Sequence, residues 1–586
     1  MSNFILKTLE TRELKLNTIR LRGFYGGKLR KGSGGGGSSD GFPVLPGDVT
    51  RWHFGGLTNE MMAAMDDPRI EDADHKGRFL SFKNFAWGGM SGVGGYVDNW
   101  NSSADWDINS YWVNSHTDHK LQFIKASSVV QARSNNIYNA ENVYKNILNV
   151  NGLTEAVNKG SVKALRIIAT DPITSKAIKT FSFETDGVIQ ISFDDVLQDY
   201  YVAYFLSGNN TNDIDITIEQ LPLYPGALVF DGVDDYGTCN NFPILTKEKG
   251  YTVVALRKWL TPETKTINEV LLGNFKNNPI WISANLGAFQ FEVKYNVSKK
   301  VQTDSFGIGN NITLNNNHLF SYQISNSYNG SILRIGSNDG GNFFTVGCGG
   351  DQFYANAAIW ELVFLDHDAT EEELTKIKDY FVKTYPWLFP DQAWTVVGKT
   401  NEDEDRATIA NITGNGNDLI LSNFGFAEGS GYNEQGEYAG YLVTDGVDDK
   451  IVSSVFGMGK DFTIVGDWKL INTGKNDNAG IVKFDSIVIY NYNPILINIK
   501  NGRNNLIPDQ NTVNAICSDG RIYSKDWKES IYNEETESTS KNLLTIGYSG
   551  NIYTKIAFKN LAIYPTVLSK EDCIKAYNYL QTLKAK

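Results

Sequence analysis

The sequence predicts an all-β protein: two homologous β-sandwiches, the first interrupted by a smaller inserted β-domain, preceded by a basic segment. Three observations predict it. One ordered set of short motifs occurs twice. The second occurrence is continuous, whereas the first carries about 125 extra residues between two of its motifs. Throughout the body, short apolar or alternating runs are separated by Asn-Gly, Asp-Gly and related turn signals.

Each copy opens on a tryptophan, Trp52 or Trp394, followed by Thr58-Asn59-Glu60 or Thr400-Asn401-Glu402. An Asn-Phe pair comes next, Asn84-Phe85 and Asn423-Phe424. The pentapeptide DGVDD then occupies 231–235 and 445–449, and a strand-like YTVV (251–254) or FTIV (462–465) follows. Each copy closes on an apolar strand, 358–365 or 557–564, and an amphipathic helix. Thr370 and Glu373 form a capping box at the start of the first helix, and Ser569 opens the second. Collinear order over so many blocks marks a duplicated domain.

Residues 1–31 carry eight basic side chains and two acidic ones, and 14–22 alternates in the manner of a strand. Residues 32–49 form a Gly/Ser-rich linker. The first sandwich is expected over 50–99 and 222–390, with strands at 227–230, 251–256, 288–293, 319–324 and 331–335. The inserted domain is expected over 100–221, entering and leaving at neighbouring points of a surface loop. Its strands are expected at 162–169, 177–183, 187–193 and 213–218, and a helix at 139–149. The second sandwich is expected over 391–586.

A net charge of −13 excludes a protein that wraps nucleic acid, which needs a basic surface to displace counterions. No apolar run approaches the roughly 18 residues of a membrane span. The opening MSNFILKTLETRELKL lacks the apolar core of a secretory leader. The four cysteines, Cys239, Cys348, Cys517 and Cys573, form no C-x-x-C pair. No disulfide framework is expected, and folding in a reducing compartment is.

The order LVFDGVDDYG, YTVV, terminal apolar strand and T-x-E-E-L helix resembles the concanavalin A-like (laminin-G/pentraxin-type) jelly roll. The run GKTNEDEDRATIANITGNGNDLILSNFGF, with SGY before the second DGVDD, is similar to domains common in Bacteroidetes and their phages. The resemblance covers roughly 50–97, 222–390 and 391–586. It implies two jelly rolls in tandem, as in structural appendage proteins of crAss-like phages.

Two sets of residues invite chemistry. Asp231, Asp234, Asp235 and Asp445, Asp448, Asp449 are hard oxygen donors suited to calcium, which related jelly rolls bind on their rims. The same spacing also makes a plain hairpin turn whose carboxylates cap local amides. Trp87, Tyr96, Trp100, Trp106, Tyr111 and Trp112 cluster among Gly, Asn, Asp and Ser, as a stacking platform for glycan or a protein contact would. Alternatively, they fill the seam between the first sandwich and its insertion. His116 and His119, in HTDH, lack a third ligand for a metal. The run 402–405 reads as a solvated acidic face. No E-x-D-x-x-E string, G-x-S-x-G or P-loop occurs, so no enzymatic activity and no cofactor other than calcium is expected.

The expected function is that of a virion appendage, a phage head or tail fibre assembled in the host cytoplasm. Residues 1–31 would dock on other virion proteins. The jelly rolls would bind cell-surface or mucosal glycans, as a homo-oligomer that gains avidity. The alternatives are a bacterial surface glycan-binding protein and a glycan-cleaving enzyme.

Overall fold

The structure, a computed structural model, describes residues 40–97 and most of 106–585. The basic segment 1–31, its strand at 14–22 and the linker up to residue 39 lie outside the described residues. The protein is all-β, built of antiparallel sheets that pair into sandwiches. Among the described residues its α-helices are α1 (Asn59–Ala63), α2 (Leu153–Asn158), α3 (Glu371–Thr384) and α4 (Lys570–Gln581). Compactness divides the chain into two units, one of residues up to Gly95 with Gly226–Phe381, the other of Tyr96–Pro225 with the chain from Val382.

The first unit is one sandwich. Its inner sheet orders the strands Phe320–Ile324, Thr252–Trp259, Asn356–Leu365, Leu228–Asp231 and Gly92–Val93, with Val49–His53 also paired to Asn356–Leu365. The facing sheet runs Arg69–Glu71, Phe79–Lys83, Tyr236–Cys239, Phe344–Val346, Glu269–Gly273, Gln290–Val297 and Lys300–Asp304. Period-two alternation sets the faces: Leu80 and Phe82 point into the core while Phe79 and Lys83 are exposed. Trp52 is wholly buried, and its indole N–H donates to the Arg78 carbonyl at 3.3 Å. Phe242 and Phe344 stack beside it at 4.7 Å between ring centres. Nine of the ten residues of Asn356–Leu365 are buried, because the core covers one face and α3 the other. The chain leaves this sandwich and returns to it side by side, since Val93 pairs with Leu228 and the Gly94 N–H donates to the Ala227 carbonyl.

In the second unit, residues 392–581 repeat that plan. Ile556–Tyr564 takes the place of Asn356–Leu365, flanked by Thr463–Leu470 and Tyr441–Val443, with Gln392–Thr395 paired alongside. The repeated tryptophans keep register: Trp52 lies opposite Leu362, and Trp394 opposite Leu561. The inserted segment forms two five-stranded sheets around a core that includes Leu121, Leu148, Leu165, Ile191 and Tyr204. Strands appear at Val162–Thr170, Ala177–Phe183, Gly187–Ser192 and Asp213–Gln220.

The helix expected at 139–149 is not formed among the described residues of that span; Lys145–Asn151 is a strand. Its spacing of Tyr144, Ile147 and Leu148 suits a helix face, but the segment is central in its sheet. Pairing with both Gly187–Ser192 and Asp213–Gln220 satisfies its backbone on two edges and overrides local propensity. The insertion's helix, α2, follows instead at Leu153–Asn158.

Candidate functional site

The polar residues of the repeated motifs meet at one corner of each sandwich. In the first, the chain leaves Leu228–Asp231, turns through Gly232 at φ +76°, and re-enters the facing sheet at Tyr236. The Asp231 carboxylate accepts the Val233 N–H at 2.8 Å. Asp235 is fully buried; its carboxylate accepts the Asp231 N–H at 3.1 Å and the Ser91 hydroxyl at 2.9 Å. Ser91 in turn accepts the Ala86 N–H at 2.8 Å. Asn84 donates its side-chain amide to the Asp234 carbonyl at 3.0 Å. Asn59 clasps Val93 through both its N–H and its C=O.

The second corner repeats this bond for bond. Asp449 accepts the Asp445 N–H at 2.7 Å and the Ser430 hydroxyl at 3.1 Å. Ser430 accepts the Gly425 N–H, Asn423 donates to the Asp448 carbonyl at 3.0 Å, and Asn401 clasps Tyr432. Backbone conformation matches too, with Asn84 at φ +67° and Asn423 at φ +69°. Asparagine tolerates this left-handed region better than most residues. Gly92 and Gly431 let the clasping amides approach: a Cβ there would lie 2.4 Å from Asn59 Oδ1 or 2.5 Å from Asn401 Oδ1.

Burial governs the electrostatics. It pushes the Asp235 carboxyl up to about 8, helped by the negative charge of Asp231. Burial likewise raises Asp449, to about 6, with Asp445 adding repulsion. One ligand oxygen from each of the three aspartates lies within 4.8 Å of the others at either corner. That hard-oxygen donor chemistry fits calcium. The hydrogen bonds, however, are those of a capped turn, and they occupy both oxygens of Asp235 and Asp449.

Aromatic pairs flank both corners, and the sequence reading missed them. Tyr236 and Tyr354, half-buried, hold their rings 6.3 Å apart. In the second copy Tyr548 and Tyr553 lie 5.1 Å apart, with the Lys450 ammonium 4.9 Å over Tyr548. In each turn the valine is about 70% exposed (Val233 69%, Val447 70%). One local signal was available, since Tyr236 and Lys450 directly follow DGVDD. Tyr354 and Tyr553 come from a distant strand region that no motif links to the turn.

The expected aromatic cluster is not brought together as one surface among the described residues. Trp87 is buried in the first sandwich's core, stacked on Phe85 at 4.8 Å. Tyr96 stacks on the buried His119 at 3.5 Å. Trp106 lies in the strand Trp106–Ile108, opposite Ser134. Trp100, Tyr111, Trp112 and His116 lie outside the described residues. In the run 402–405, Asp403 caps the turn by accepting the Thr400 N–H. No described helix is long and apolar enough to cross a membrane.

No family model matches the chain, and no curated protein matches it. Solved structures do. A Trypanosoma rangeli sialidase in complex with sialic acid matches at 8% identity and a TM-score of 0.25, over 79% of this chain and 82% of that one. A truncated AlyQ with CBM32 and alginate lyase domains matches at 9% identity and a TM-score of 0.16, over 57% and 89%. Scores this low transfer no activity to the chain. Sialidases and alginate lyases are nevertheless enzymes, so the exclusion of enzymatic activity drawn from missing motifs is withdrawn.

Proposed function

We propose that the chain is a glycan-binding protein of the virion-appendage type, with its two acidic corners as the binding rims. One observation carries the reading: the same corner is built twice, each time with an exposed turn valine and a half-buried tyrosine pair. Aromatic rings take the apolar face of a sugar, and the exposed Asp234 and Asp448 offer acceptors to its hydroxyls. Calcium at either corner would be held by Asp231, Asp234 and Asp235 or by Asp445, Asp448 and Asp449, supplying a fixed positive charge for hydroxyl oxygens. The basic segment 1–31 and its linker support docking of the modules to a virion as head or tail fibre. Oligomerisation would multiply weak single-site binding.

The test is a glycan array probed with the full chain, with and without calcium, beside the double variant Tyr354→Ala, Tyr553→Ala. Retained glycans that the variant loses uphold the binding reading, and no retained glycan removes it. Turnover of a retained glycan would move the reading to glycan cleavage. Mass spectrometry of purified particles tests the virion half: a chain absent from particles ends it.

A further inference from the structure

The second sandwich departs from the first at two positions that face each other. Cys517 ends the strand Val513–Cys517, in register with Thr463; in the first sandwich Ile324 stands opposite Thr252 at that point. Cys573 is the fourth residue after the α4 cap Ser569, where the first sandwich has Leu374, fourth after Thr370. Two apolar positions of the first sandwich are thus both cysteines in the second. Both are wholly buried. Cys517 Sγ lies 3.8 Å from Thr463 Oγ1 and 4.0 Å from the Leu568 carbonyl, directly beneath the first turn of α4. The Cys517 and Cys573 thiols hydrogen-bond to one another.

We infer that Cys517 and Cys573 form a redox-active dithiol that closes to a disulfide, stapling α4 to the sheet when the protein meets an oxidising small-molecule disulfide. The surroundings suit the nucleophile. The hydrogen bond from Cys573, with Thr463 and the nearby Arg521, draws the Cys517 thiol below its ordinary range. Arg521 is anchored there by donating to the Leu568 carbonyl at 3.0 Å. Cys239 and Cys348, also buried, belong to the first sandwich.

The chemistry balances with glutathione disulfide as oxidant. The Cys517 thiolate attacks one glutathione sulfur; a protein–glutathione bond forms, the glutathione S–S bond breaks, and one glutathione thiolate leaves. Cys573 then gives up its proton, and its thiolate attacks the Cys517 sulfur, expelling the second glutathione. Two protein thiols are oxidised, one small disulfide is reduced, and the two protons end on the released thiolates. Because both sulfurs are buried, attack proceeds through local opening of α4.

The experiment incubates the full chain with glutathione disulfide at temperatures rising to just below its unfolding transition. Remaining thiols are then alkylated, and the digest is mapped by mass spectrometry. The expected result is a peptide pair joined through Cys517 and Cys573, lighter by two hydrogens, with Cys239 and Cys348 alkylated. Oxidation should raise Tm by roughly 5 °C. The double variant Cys517→Ile, Cys573→Leu, which installs the first sandwich's own residues, should fold and show no oxidant-dependent shift. Alkylation of Cys517 and Cys573 across the whole temperature series, or a Tm shift that persists in that variant, would overturn the inference.

Discussion

At the scale of the residue, Asp235 shows how burial converts a turn acid into a pH-sensitive group. Its folded value is raised to about 8, far above an unfolded aspartate. The folded state therefore keeps a proton that the unfolded chain gives up. The stabilisation is complete below the unfolded value of about 4 and is lost as pH rises through about 8. Asp235→Asn keeps an acceptor for the Asp231 N–H and turns an amide donor toward the Ser91 oxygen in place of the acceptor there, without a titratable proton, so it should flatten this dependence. At pH 8 the variant should be more stable than the unsubstituted chain by on the order of a few kcal/mol, read by urea unfolding across the pH range. Asp449→Asn should act the same way over the shorter window that closes near about 6. Gly92 is constrained differently. At φ +142° and with Asn59 Oδ1 2.4 Å from any Cβ, Gly92→Ala should cost about 2 to 3 kcal/mol, measured the same way.

At the scale of the element, the helix on each sandwich is fixed by its cap and by what it covers. Thr370 accepts the Glu373 N–H while Glu373 accepts the Thr370 N–H, the reciprocal box the sequence announces. Thr370→Ala should lower stability by about 1 kcal/mol in denaturant melts. Beneath α3 lies a charged cluster that the sequence does not announce. Arg51, 1% exposed, donates to the Tyr380 hydroxyl at 2.9 Å, bonds Asp40, and lies 3.6 Å from the buried Glu361. The equivalent of Glu361 in the second sandwich is Asn560, which pairs with Thr395 as Glu361 pairs with His53. Arg51→Met leaves Glu361 without its guanidinium and should destabilise by about 3 to 5 kcal/mol. Arg51→Met with Glu361→Leu should recover part of that loss, and with the Glu361→Leu single variant the cycle measures how strongly the two are coupled.

At the scale of the whole molecule, duplication gives one chain two copies of the corner proposed as a binding rim. If both engage one glycan surface, Tyr354→Ala or Tyr553→Ala alone should weaken binding to a dense glycan surface by about tenfold or more. Binding to a soluble monovalent glycan should instead fall only at the altered corner, which isothermal titration can count. The sequence by itself determined the sandwich class and the duplication, because alternation and turn chemistry are local, and a repeated word is visible without coordinates. It also determined most strands of the insertion and the capped helices, which depend on neighbours three or four residues apart. Only the tertiary structure decided why those words are repeated: Asn59, Asn84, Ser91 and Asp235 are scattered along the chain yet close one hydrogen-bonded corner. It also put the strand Lys145–Asn151 where the end of a helix was expected, buried Trp87, set Tyr354 beside Tyr236, and placed Cys517 against Cys573. Each of these is a pairing between residues far apart in the chain, and composition and period carry no record of which distant strand will lie alongside.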